Sequence, residues 1–217
     1  MTIKTEVQNC VEKMLSYIES ADYAGYDPYD ALNSPLIRRI GEHSKWIRIG
    51  ATQFIRRFPV NLRPMLGIRK GHNPKGIGLF LWGYSKLYAI EKAPKYLSRI
   101  DYLLDLLERL QSKGYSGNCW GYNFDWQSRT AMRPAGTPTI VNTSFIGHAL
   151  LDCYELTGRQ RTLNMAVSIK DFILGDLHGT RVNGTFCFSY TPIDTEAVHN
   201  AEYVQWKRIL FLGRADS

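Results

Sequence analysis

Apolar residues recur at helical spacing through most of the chain. Val7, Cys10, Val11, Met14, Leu15 and Ile18 line one face of a first amphipathic helix. The stretch from Asp22 to Asp30 then reads as a turn-rich loop, with Gly25 and Pro28 as breakers. Asn33 or Ser34 can cap the next helix, with Pro35 at its first position. That helical region continues through Ile40, Ile47, Ala51, Phe54 and Phe58 with a break near Gly41, and Pro59 and Pro64 interrupt the chain after it. From Pro74 to Ile90 the pattern leaves little polar face, which is the signature of a buried helix. Its successor is one-sided: Tyr96, Ile100, Leu103, Leu104 and Leu107 form a stripe backed by Arg99, Asp101, Asp105 and Glu108.

The same alternation returns. Thr139 to Leu156 is largely apolar, and Arg159 to Leu177 is one-sided, with only Thr157 and Gly158 between them. So short a link makes the two helices antiparallel neighbours. Asn183-Gly184 then marks a small β-hairpin, and Asp194 or Thr195 is placed to begin a last helix. Buried and surface helices in strict alternation predict an all-α fold of two concentric helical layers, with the long connections collected at their ends, where sites are built.

One connection is unusual. Residues 118–126 hold Trp120, Tyr122, Phe124 and Trp126 around a single acid, Asp125. A loop normally faces water and is polar. Four rings there fit either a plug for the end of a helical core or a wall on which a ligand stacks.

Composition narrows the partners. The chain has 217 residues, 44% hydrophobic and 22% charged, as a globular protein does. No apolar run reaches the roughly 18 residues of a membrane span, and the N-terminal helix lacks the continuous apolar core of a signal peptide, so a cytoplasmic location is expected. The four cysteines are scattered, with no pair at ligand spacing, and no metal or cofactor is expected. The net charge is +7, and the segment from Arg38 to Lys75 carries ten Lys/Arg against one acid, Glu42. Such a field favours an acidic polysaccharide, phosphate groups, a membrane surface or nucleic acid; it equally fits a solvated helix face, and no nucleic-acid motif accompanies it. Motifs of serine hydrolases, zinc proteases, P-loop proteins and dinucleotide-binding folds are missing.

Several blocks, DYAGYDPYDALNSP, GHNPKGIGLFLWGY, NCWGYNFDWQSR, GTPTIVNTSFIGHALLDCYELTG and CFSYTPIDTEAVHNA, resemble in order a family of six-hairpin, glycosidase-like proteins linked to polysaccharide biosynthesis. The resemblance covers roughly residues 5–201. It implies an (α/α)6 toroid with a pocket at one end of the inner ring. A full toroid needs about twelve helices, more than 217 residues hold at ordinary helix and loop lengths. The expectation is therefore a partial toroid over residues 1–200 and a divergent tail over 201–217 in a truncated member, whose open side invites self-association.

Glycoside chemistry needs two carboxyls roughly 5–10 Å apart across the bond. Asp125 is the first candidate acid/base, followed by Asp30 and by His199. Trp120, Tyr122, Trp126, Tyr29, Asp27, His148 and Asn200 are candidates to bind sugar. Each has a plainer alternative. Asp27 and Asp30 suit turns and caps, Asp125 suits a structural bond, and His199-Asn200 suit a helix start. His148 forms a polar stripe with Ser144 and Asp152 that fits a pocket or a buried network. Two functions follow: a carbohydrate-active protein handling an anionic glycan, or a noncatalytic helical scaffold in polysaccharide assembly, with an inactive truncated fragment as the remaining case.

Overall fold

A computed structural model describes residues 3–182 and 185–195. The chain is mostly helical. It forms α1 (Ile3–Ser20), a 3-10 turn (Asp30–Asn33), α2 (Pro35–Gly41), α3 (Lys45–Arg57), α4 (Pro74–Glu91), α5 (Pro94–Arg109), α6 (Ile140–Thr157) and α7 (Gln160–Gly175). Short strands β1 (Trp126–Gln127) and β2 (Met132–Arg133) punctuate the α5–α6 connection. The strands β3 (Gly179–Val182) and β4 (Thr185–Phe188) form the antiparallel hairpin that the Asn-Gly pair predicts. The last helix and the divergent tail lie outside the described residues, and no helix among those described is long and apolar enough to cross a membrane.

The chain divides into two compact units, Met1–Asn73 with Gln127–Thr130, and Pro74–Trp126 with Ala131–Ser217. The first has a small core of Ala31, Leu32, Ile37, Ile55 and Ile68, with Tyr26, Ala51 and Leu66 packed against it. Ser34 caps α2 by accepting the Ile37 N–H at 3.4 Å and donates to the Leu66 carbonyl at 2.7 Å. Pro35 opens the helix, where its missing N–H costs nothing. The break near Gly41 separates α2 from α3, which starts on the Ser44 hydroxyl.

The second unit is the helical layer pair. Helix α4 buries Ile77, Gly78, Leu81, Tyr84 and Ser85, and α6 buries most of its length. They meet along the most extensive helix interface among the described residues. Gly78 permits the contact: a Cβ there would stand 2.9 Å from Ile146 Cγ1. Near one end Lys75 lies against the Phe145 ring, and further on Trp82 and Lys86 both donate to Asp152, at 2.7 and 2.9 Å. Residue numbers rise together along the seam, so α4 and α6 are parallel. The return helices α5 and α7 are the one-sided ones. Their wet faces are tied by Arg159 to Asp101 at 2.8 Å and Arg161 to Asp105 at 2.7 Å. Two parallel inner helices with outer helices running back are two hairpins of an (α/α) toroid. Packed on α5 and α6, α4 still leaves Leu79 and Ile90 at the surface, so it is less enclosed than its apolar pattern predicts.

Candidate functional site

The long connection from α5 to α6 divides into a buried half and a half-open one. Gly117 begins the buried half because it presses on α7: an added Cβ would collide with the Ser168 carbonyl and the Phe172 amide. Asn118 fixes the approach, its amide donating to Ser168 Oγ at 3.1 Å and its side chain to the Met165 carbonyl at 3.0 Å. Trp120 is then fully enclosed, with its indole N–H on the Leu107 carbonyl at 2.8 Å and its backbone N–H on Thr143 Oγ1 at 3.1 Å. Trp120, an expected stacking residue, thus presents no exposed ring face among the described residues. Cys119 beside it is equally buried, and burial pushes its thiol up to about 12, so it holds no thiolate near neutral pH.

Beyond Gly121 the loop turns outward and its rings collect. Tyr122 stacks on Phe124 with centroids 5.1 Å apart and meets Trp126 edge-on at 6.2 Å. Trp126 in turn meets Tyr190 at 6.2 Å. Over this last pair lies the buried Arg133 guanidinium, 5.2 Å from the Trp126 ring and 5.4 Å from Tyr190. Arg133 is held by Asp194 at 2.9 Å, and Asp194 also accepts the Thr191 hydroxyl at 2.6 Å. Tyr190 is anchored through its carbonyl, which takes the first amide of α6, Ile140 N–H, at 3.0 Å. The cluster therefore stands at the N-terminal end of α6. Arg133, Tyr190 and Asp194 are its members that sequence reasoning missed. They come from sequence-distant segments, and Asp194 reads in sequence only as a helix start.

Asp125 is half-buried in this loop, and its Oδ1 accepts the Ala135 N–H at 2.8 Å. His148 is buried on α6, one turn beyond Ser144. The third residue of that polar stripe, Asp152, is committed to Trp82 and Lys86 on α4. Deeper in the same unit, both amide atoms of Asn142, Ser144 Oγ and Asn123 Oδ1 are buried without a protein hydrogen-bond partner. Buried polar atoms are nearly always satisfied, so these mark places for water or a ligand hydroxyl. Lys75 lies 4.1 Å from the Phe145 ring, and burial holds its ammonium below the usual lysine range.

The other two candidate aspartates, Asp27 and Asp30, belong to the first unit and brace its loop. Asp30 is buried. Its Oδ1 takes Arg63 Nε at 2.8 Å and its Oδ2 takes the Asp27 N–H at 3.1 Å. Burial raises the Asp30 carboxyl above the usual carboxylate range, against the opposing pull of Arg63. Asp27 accepts the Tyr29 N–H at 2.9 Å and the Asn73 side-chain amide at 3.0 Å, while Arg56 covers the Tyr29 ring at 4.9 Å. All four carboxylate oxygens are thus engaged in holding a turn. His199 and Asn200 lie outside the described residues. Among the described residues no group of three or more His, Cys, Asp or Glu is arranged to hold a metal ion.

The family described as Beta-L-arabinofuranosidase, GH127 catalytic domain, matches residues 69–198, which include α4 to α7 and the whole aromatic loop. No curated protein and no solved structure matches the chain. With more than half of its length matched, this chain belongs to the family of the β-L-arabinofuranosidase GH127 catalytic domain, a glycosidase-like, carbohydrate-active lineage of the six-hairpin type.

Proposed function

We propose that the chain handles an anionic glycan at the aromatic loop, with Asp125 as acid/base and Tyr122 and Trp126 as the stacking wall. The observation that carries this reading is the position of Asp125, half-buried between Phe124 and Trp126 inside the residues that match the family. Rings stack on the apolar faces of sugars, and a carboxyl among them is placed to exchange a proton with a glycosidic oxygen. The +7 net charge supports the preference for an anionic substrate, and polysaccharide assembly is the setting that fits it. His148, and beyond the described residues His199 and Asn200, are proposed for hydroxyl contacts.

The test is turnover of a panel of neutral and acidic furanosides and oligosaccharides. Asp125→Asn is expected to lower kcat by about 10²–10⁴ with KM little changed. A second reading, a noncatalytic glycan-binding scaffold, is favoured by the engagement of Asp125 with the Ala135 amide and of Asp194 with Arg133. Glycan binding without turnover in the native chain, unchanged by Asp125→Asn, would establish the scaffold instead.

A further inference from the structure

The basic segment that the glycan site does not absorb has an apolar side of its own. Along α3, Ile47 and Phe54 share one face at a spacing of seven residues, Trp46 lies at the edge of that face in the first turn, and Phe58, the residue that ends the helix, follows Phe54 at a spacing of four. All four are exposed: Trp46 is 64% accessible, Phe54 56%, Phe58 40% and Ile47 39%. The opposite face buries Thr52 and Ile55 in the core of its unit. Phe54 and Phe58 lie ring against ring at 5.0 Å, so the stripe is continuous at its C-terminal end. Cations bracket it, with Lys45 at the start and Arg56 and Arg57 at the end. Among residues 38–75 the only acid is Glu42.

We propose that this face of α3 docks the protein on an anionic lipid surface, lying in the plane of the headgroups with its rings in the acyl boundary. A one-sided helix with Trp and Phe on the apolar side and Lys and Arg at its flanks is built for that interface. The competing occupants fit less well. A soluble glycan needs hydrogen-bonding partners, and Ile47, Phe54 and Phe58 offer none. A second copy of the chain meeting this face across a two-fold axis would set cations against cations with one acid in the segment to offset them. The helix lies outside the residues that match the family, so the proposal is independent of the glycan reading.

The test uses the full chain and vesicles of phosphatidylcholine alone or mixed equally with phosphatidylglycerol, at low and physiological salt. Co-sedimentation with the mixed vesicles and little with the neutral ones is expected. Trp46→Ala and Phe54→Ala should each weaken partitioning on the order of tenfold, from the lost apolar burial. Arg57→Gln should weaken it about fivefold on the mixed vesicles alone. These side chains are exposed, so circular dichroism and melting temperature should not change. The proposal is overturned if neither vesicle binds, or if the ring variants bind as the native chain does, which would mean charge adhesion only. It is also overturned if the native chain is a dimer that the ring variants convert to monomer, which would assign the face to a second copy.

Discussion

Trp120 and Trp126 share one loop and carry opposite burdens. Trp120 is sealed in the core, so Trp120→Ala should destabilise the fold by about 3–5 kcal/mol in a denaturant titration. Trp126 is half-buried against Tyr122, Tyr190 and Arg133. Its replacement by alanine should cost glycan affinity up to about tenfold, read by calorimetry, with a smaller loss of stability than Trp120→Ala. In sequence the two rings are equivalent; what separates them is Gly117 and Asn118, which press the first half of the loop onto α7. Asp30 teaches the same lesson from the other side. Its partner Arg63 lies 33 positions away, and nothing local announces the pair. Arg63→Ala leaves a buried carboxyl unpaired and should cost about 3–5 kcal/mol at neutral pH. Asp30 already has a raised pKa from burial, and the variant raises it further. The neutral acid is then the form that the fold prefers. The penalty of Arg63→Ala relative to the native chain should accordingly be smallest below the ordinary carboxylate range and grow as pH rises through the raised pKa, as paired thermal melts of the two chains across that range would show.

At the scale of elements, periodicity did most of what it can do. The boundaries of α4 through α7, the Ser34 cap and the hairpin β3–β4 were legible because each is dictated by local spacing, capping or turn chemistry. What periodicity and link length could not convey is which helices meet beyond a single hairpin, and in what direction. Close approaches decide that, and they rest on glycines that look ordinary in sequence. Gly121 bridges to Pro138, and an added Cβ would strike the Thr137 carbonyl. Gly121→Ala is therefore expected to destabilise by about 1–3 kcal/mol and to disturb the ring cluster, visible as a changed near-ultraviolet dichroism of Trp126 and Tyr122. Gly83, which has open space around its Cβ position on the same α4 that Gly78 serves, is the control: Gly83→Ala should be neutral or slightly stabilising.

At the scale of the whole molecule, the split into two units was not visible in the sequence. The polar, Gly- and Pro-containing stretch from Arg69 to Gly76, where one unit gives way to the other, reads in sequence as one more loop between helices. The parallel course of α4 and α6 carries a consequence for how the second unit assembles. Each hairpin, α4 with α5 and α6 with α7, closes through a short link, the second through Gly158 in the left-handed conformation. Such local closures lose little chain entropy and are expected early. The seam between the hairpins joins residues as far apart as Trp82 and Asp152, 70 positions in sequence, so its closure comes late. Removing that bond with Trp82→Phe should then accelerate unfolding while leaving refolding nearly unchanged, whereas Gly158→Val should slow refolding. Stopped-flow chevrons of the two variants would record a kinetic order that follows from two helices pointing the same way.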